Sequence, residues 1–188
     1  MPRILIVYGT TDGQTRKIAA TLSGILEYQG VHADVHHAEG IPDAVRPEEF
    51  DGVIVAASVH SGGYQRSVKR WVAAHAAALN RCPSAFLSVC LGILEPKPEV
   101  QEEVRAIAQR FLDRSSWHPT IIKPVAGALL YTRYNFVKRW VMKRIVTKGG
   151  GDTDTSRDYE YTDWEDLRTF AREFAGYVMV GRLVGAAH

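Results

Sequence analysis

Apolar positions along the chain alternate between two spacings. Ile4-Leu5-Ile6-Val7-Tyr8 and Val53-Ile54-Val55-Ala56-Ala57 are short continuous runs, the pattern of strands buried on both faces. Pro83 opens a similar stretch, Ala85-Phe86-Leu87-Ser88-Val89, and His32 to His37 reads as a strand in which Ala33 and Val35 alternate with polar residues. Between these lie residues at helical spacing: Ile18, Leu22, Ile25 and Leu26 up to a stop at Gly30, then Val68, Trp71, Val72, His75 and Leu79, then Val100, Val104, Ile107, Ala108 and Phe111. His75 falls at the edge of such a face, where a core-edge role outweighs that of a ligand. A fifth strand is expected within Thr120–Leu129, ending at Ala126-Gly127-Ala128. Thr162 and Glu165 read as a capping box ahead of Trp164, Leu167, Phe170, Ala171 and Phe174. The segment Glu39–Glu49, with Pro42 and Pro47, reads as loop. Strands alternating with helices imply right-handed crossovers and a parallel sheet, α/β in class. No repeat or linker interrupts the pattern, so residues 1–188 are expected to form one domain.

Open α/β sheets bind ligands beyond the carboxyl ends of their strands, where the strand order reverses. Three loops collect there. The first, Thr10-Thr11-Asp12-Gly13-Gln14-Thr15, joins a strand to a helix and carries hydroxyls and a glycine. Backbone N–H groups at the positive end of a helix, with hydroxyls beside them, suit a phosphate. Charge-assisted hydrogen bonds of roughly 1.5–3 kcal/mol each outweigh the dipole contribution of roughly 0.3–1 kcal/mol. Neither a P-loop nor a dinucleotide fingerprint is present. The second loop brings Ser58, Val59, His60, Gly62 and Tyr64, and the third Ser88, Val89, Cys90, Leu91 and Gly92. Their small residues and the Tyr64 ring suit a flat ligand.

Composition narrows the classes. A chain of 188 residues with 46% hydrophobic content buries a full core. No apolar run reaches the roughly 18 residues of a membrane span, and the amino-terminal run is too short for a signal peptide. Cys82 and Cys90 form no CxxC pair, which fits a reduced cytosolic setting, and the seven histidines show no zinc-site spacing, so no metal is expected. Net charge is +2, but Arg114–Gly151 holds eight Lys/Arg and no Asp or Glu, leaving 15 basic against 21 acidic residues, a net of −6, elsewhere. Within that segment Tyr134, Val137, Val141 and Ile145 share one helical stripe while Phe136 and Trp140 fall between basic residues. A solvated basic helix explains the charge but not these two aromatics. A segment that covers a flat apolar ligand, rests on a membrane, or does both accounts for each.

Thr10-x-x-Gly13-x-Thr15 resembles the loop with which flavodoxins hold the phosphate of FMN. The variant Asp12-Gly13-Gln14-Thr15 is similar to one branch of that superfamily, the menaquinone-dependent protoporphyrinogen IX dehydrogenases. Pro83-Ser84-Ala85-Phe86, Ala126-Gly127-Ala128-Leu129, Tyr131, Arg133-Tyr134, the basic-aromatic segment, Gly150-Gly151-Asp152-Thr153-Asp154-Thr155 and Tyr161-Thr162-Asp163-Trp164-Glu165 extend the resemblance over essentially the whole chain. Leu130 and Thr132 depart from it, standing where a basic residue and a proline are expected, and the loop from Cys90 to Pro98 carries few basic residues. The resemblance implies a flavodoxin-like three-layer sandwich, a five-stranded parallel sheet of order 2-1-3-4-5, with a basic-aromatic insertion after the fifth strand at about residues 129–151. It implies FMN on the three loops and oxidation of protoporphyrinogen IX to protoporphyrin IX with menaquinone as acceptor, in haem biosynthesis. Tyr131, Arg133, Tyr134, Lys138, Arg139 and Trp140 are the candidate substrate contacts, the cations suiting porphyrinogen propionates. No general base stands out, so catalytic residues stay unassigned. A cytoplasmic protein, peripheral on the inner face of the cell membrane and without nucleic-acid partners, is expected; the oligomeric state is not readable. A flavodoxin-type electron carrier and an FMN-dependent quinone reductase remain alternatives, the carrier disfavoured by the basic insertion.

Overall fold

The computed structural model describes residues 1–129 and 158–185. The insertion therefore lies largely outside the described residues, and with it Tyr131, Arg133, Tyr134, Lys138, Arg139 and Trp140.

Five parallel strands, β1 (Arg3–Gly9), β2 (His32–His37), β3 (Gly52–Ser58), β4 (Ser84–Val89) and β5 (Ile121–Val125), form one sheet in the order β2-β1-β3-β4-β5. This is the expected order. Val7 lies opposite His36 on one side and Val55 on the other, which places the central β1–β3 pair in register along its whole length. Side chains of successive residues point to opposite faces. Ile4, Ile6, Ile54, Ala56, Ala85 and Leu87 face α1 (Gln14–Tyr28) and α4 (Trp164–Gly185), where Ile18, Leu22, Leu167, Phe170 and Phe174 complete the core. Leu5, Val7, Val53, Val55 and Phe86 face α2 (Arg66–Leu79) and α3 (Pro98–Ser115). The half-polar β2 and the proline-bearing β5 are the edges. An edge tolerates Pro124, since its missing N–H costs no ladder bond on the open side.

Aromatic packing dominates the second face. Tyr64 sits 5.1 Å from the centroids of both Phe86 and Phe111, and Phe86 lies 5.7 Å from Trp117. Trp117 is 1% exposed; its Nε1–H donates to Ser84 Oγ at 3.0 Å, and Ser84 Oγ–H donates to the Leu79 carbonyl at 3.0 Å, so the buried indole is satisfied. His75 is half-buried against Trp71, 4.8 Å between rings, as its place on the helix face implies.

Three expectations are corrected. The α4 cap is Asp163, one residue beyond Thr162: Asp163 Oδ1 accepts from the N–H groups of Glu165 and Asp166 at 3.0 and 2.9 Å. Thr162 instead donates to the Ala126 carbonyl at 2.8 Å. The fifth strand ends at Val125, and Ala128–Leu129 form a separate strand, β6, antiparallel to β7 (Tyr159–Glu160). Finally, Tyr64, read as a loop aromatic, is a core residue, 5% exposed, with its ring packed against Phe86 and Phe111.

Burial pushes the Tyr64 phenol up to about 12, only partly relieved by its 2.7 Å hydrogen bond with Ser88 Oγ. The folded state thus holds that proton more tightly than the unfolded chain, whose value is near 10.0. Stability tied to Tyr64 is fully present below pH 10.0 and lost as pH rises through about 12. Two units correspond to at most about 2–3 kcal/mol. Tyr64→Phe is expected to flatten the decline in unfolding free energy between pH 9 and pH 11.5, read by urea titration; wild-type and variant curves of equal slope would contradict the assignment.

Candidate functional site

The carboxyl ends of β1, β3 and β4 meet where the order of the sheet reverses, between β1 and β3. The turn after β1 is built by Gly13, which adopts φ 100°, a left-handed conformation that L side chains avoid, and by its N–H donating to Thr10 Oγ1 at 2.9 Å. Gly13 is the N-cap of α1 and, having no side chain, makes no cap bond to the first-turn N–H groups. Thr15, in that first turn, is 0% exposed and its Oγ1 has no hydrogen-bond partner. A buried, unpaired hydroxyl costs about 1–3 kcal/mol. An uncapped helix end and an orphaned hydroxyl in the same turn together fit a phosphate, which accepts from all of them.

The second loop is anchored to the third. Val59 N–H donates to the Val89 carbonyl at 2.8 Å, and Cys90 N–H to the Val125 carbonyl at 3.0 Å. Beyond Val59 the chain turns tightly: His60 N–H donates to the Gly63 carbonyl at 2.7 Å and Gly63 N–H returns to His60 at 3.2 Å, with Ser61 and Gly62 both at positive φ. His60 and Gly62 are thereby held at an exposed tip. The third loop continues as a short 3-10 turn, Leu91–Leu94. Ser88 is buried and bonded to Tyr64, on the α2/α3 side of the sheet. Burial also raises the Cys90 thiol, although the N–H groups of Ile93 and Gly92 oppose this.

Two glutamines that the sequence reading passed over hold these loops. Gln65, the N-cap of α2, donates from Nε2 to Thr11 Oγ1 at 3.1 Å and to Ser58 Oγ at 2.9 Å. It bridges the first loop to the second. Gln101 in the first turn of α3 reaches the carbonyls of Ile93 and Glu95 at 3.0 and 2.6 Å and thereby fixes the third. Their only sequence signal is a polar residue at a helix start just after a ligand loop. Thr10 and Gln65 also border an open cleft with Arg66, Ser67 and Arg70, so cations stand beside the turn.

Gln14, the first residue of α1, is engaged elsewhere. Its side chain turns away, donating to Glu160 Oε1 at 3.0 Å and Thr162 Oγ1 at 2.9 Å. Lys17 joins Glu160 Oε2 at 2.6 Å and lies over the Trp164 ring, 5.0 Å from its centroid. Desolvation works against the Glu160 carboxylate, but the bonds from Lys17 and Gln14 prevail and lower its pKa. The β6–β7 pair is thus fastened to the first turn of α1.

Residues 5–156 match the family model described as "Flavodoxin domain". The chain is 39% identical over 173 residues, 92% of its length and 94% of the relative's, to the protoporphyrinogen IX dehydrogenase (quinone) of Escherichia coli strain K12. It is 34% identical over 175 residues to the Leishmania major protein of the same name, 93% of this chain and 75% of that one. Among solved structures, oxidised flavodoxin 1 from Bacillus cereus superposes with a TM-score of 0.57 at 14% identity, covering 93% of this chain and 98% of that one. An archaeal flavodoxin superposes with a TM-score of 0.54 at 12% identity, covering 94% and 99%. At such identities the structures speak for the fold, while the sequence relatives speak for the branch. The chain belongs to the flavodoxin-domain family and, within it, to the protoporphyrinogen IX dehydrogenases (quinone).

Proposed function

We propose that this protein holds FMN on the three loops and oxidises protoporphyrinogen IX to protoporphyrin IX, with menaquinone as the electron acceptor. The observation that carries the flavin assignment is the buried, unpaired Thr15 hydroxyl at the uncapped start of α1. Thr10, Thr11, Gly13 and Thr15 are the residues that would hold the phosphate, with backbone of the second and third loops beside the ring. A bound flavin supplies the electron-pair chemistry between porphyrinogen and quinone. The chain's part is to bind, orient and exclude. Burial raises both Tyr64 and Cys90 further above their ordinary values, so both are neutral near neutral pH.

The substrate is assigned to the insertion. In the sequence it lies between β6 and β7, which are tied to the first turn of α1 through Gln14, Lys17, Glu160 and Thr162. Tyr131, Tyr134 and Trp140 would offer flat apolar surface, and Arg133, Lys138 and Arg139 partners for propionates. The same basic segment is proposed to rest on the anionic inner face of the cell membrane, where a lipid-dissolved quinone is found. Among the described residues no helix is long and apolar enough to cross a membrane.

Purified protein is expected to be yellow, and Thr15→Ala combined with Gly13→Val to release the flavin, because Val at a positive φ is strained and the hydroxyl donor is gone. Each lost phosphate bond is worth roughly ten- to hundredfold in affinity. A colourless protein that takes up no added FMN would sink the assignment. Replacing Tyr131–Lys148 with a short Gly-Ser linker should leave FMN bound and reducible by dithionite while porphyrinogen oxidation falls by orders of magnitude, since positioning accounts for roughly 7–11 kcal/mol of a barrier. Normal turnover by the shortened, flavin-loaded protein would remove the insertion from the substrate site. On vesicles, the six basic residues of Arg133–Lys148 at roughly 1 kcal/mol each should give binding to anionic lipid that weakens steeply with salt. Equal partitioning onto neutral and anionic vesicles at every salt concentration would refute membrane docking.

A further inference from the structure

Gln65 lies at the junction of the first two loops, yet no motif marks it. The two protons of its Nε2 are divided between Thr11 Oγ1 at 3.1 Å and Ser58 Oγ at 2.9 Å. Each hydroxyl therefore has an acceptor lone pair occupied, and neither donates its own proton to a partner among the described residues. The amide is held in this orientation by close packing on the opposite side. A Cβ added at Gly9 would meet Gln65 Oε1 at 2.9 Å and Val68 Cγ2 at 2.4 Å, so the end of β1 must be glycine for α2 and this side chain to fit. Gln65 Oε1 is shielded from solvent and has no partner among the described residues. A folded chain keeps an unsatisfied buried carbonyl where the rest of the group is needed for something else.

We propose that Gln65 is a positioning residue for the flavin phosphate: by occupying the acceptor sides of Thr11 and Ser58, it turns both hydroxyl protons toward that phosphate. The inference rests on the FMN assignment and deepens it. A free hydroxyl rotates between donor and acceptor roles. One already accepting from an amide N–H is left to donate, and an ionised phosphate accepts from several such donors. Gln65 would in this way add two side-chain donors, one from each loop, to the backbone N–H groups of α1. It would contact neither the isoalloxazine ring nor the substrate.

The test is titration of the flavin-free protein with FMN and with riboflavin, which lacks the phosphate, followed by flavin fluorescence. Gln65→Leu should weaken FMN binding about ten- to hundredfold while riboflavin affinity stays nearly unchanged. Gln65→Glu is the same size but offers only acceptors, which would take the hydroxyl protons and set a negative charge beside the phosphate. It should lose FMN affinity by a further factor of roughly ten, again sparing riboflavin. Loss of both flavins by one common factor would make Gln65 a packing residue and overturn the proposal, as would FMN affinity unmoved in either variant. Should Gln65→Leu fail to give the wild-type circular dichroism spectrum, the isosteric Gln65→Glu decides by the same ratio. A wild-type protein that binds FMN no better than riboflavin would instead overturn the phosphate-turn assignment itself.

Discussion

A parallel sheet needs cover on both faces, because every crossover lays a helix on one side or the other and every strand alternates its side chains between the two. Everything else in this molecule follows from that constraint. With β1 at the centre, the chain covers one face with α1 and α4 and the other with α2 and α3. The change of face falls between β1 and β3, and there the helices diverge and leave a crevice at the carboxyl ends. Ile4 and Ile6 against Leu5 and Val7 therefore do more than fill two cores. Their alternation sets where the loops must gather.

Loops gathered over a packed core still need their polar groups satisfied, and that requirement selects the side chains around them. Ser84 and Ser88 sit in the aromatic layer only because Trp117 and Tyr64 supply partners. Gln101 serves the carbonyls of the third loop, and Gln65 the hydroxyls of the first two. Glutamine suits both places: it reaches across a gap without introducing a charge. Against this background of satisfaction, two buried side-chain atoms stand out as having no partner among the described residues: Thr15 Oγ1 and Gln65 Oε1.

Much of the architecture was legible in the sequence because it rests on periodicity. The strands His32–His37 and Ser84–Val89 and the helices that alternate with the strands depend on apolar spacing that local residues carry in full, whereas the strand order came from the family resemblance. The conformation of the turn after β1 is local for a related reason: Gly13 and Thr10 are bonded to each other within four residues. What was missed is non-local or a matter of one position. Tyr64 reads as a loop aromatic until Phe86, Phe111 and Ser88 are brought to it from distant elements. Asp163 and Thr162 are both good caps, and only the pull of the Ala126 carbonyl on Thr162 decides between them. The β6–β7 pairing joins segments separated by the whole insertion, and no spacing within either announces it. Gln65 and Gln101 carry no signal beyond their place at helix starts.

The fastening of that pair to α1 bears on how an insertion can serve a flavin site at all. The Lys17–Glu160 ion pair is exposed, and exposed pairs contribute about 0–1 kcal/mol, so it cannot by itself fix the geometry. The hydrogen bonds do more, because each joins groups of different elements: Gln14 to Glu160 and Thr162, Thr162 to the Ala126 carbonyl, and Tyr161 N–H to the Gly127 carbonyl. Gln14 belongs to the turn whose backbone would face the phosphate, and its side chain grips the strand that closes the insertion. That turn and β7 are therefore joined by the side chains of two first-turn residues, Gln14 and Lys17. An insertion hung from a free edge of the sheet would have no such coupling; one hung from β6 and β7 has its base set by the same residues that build the crevice.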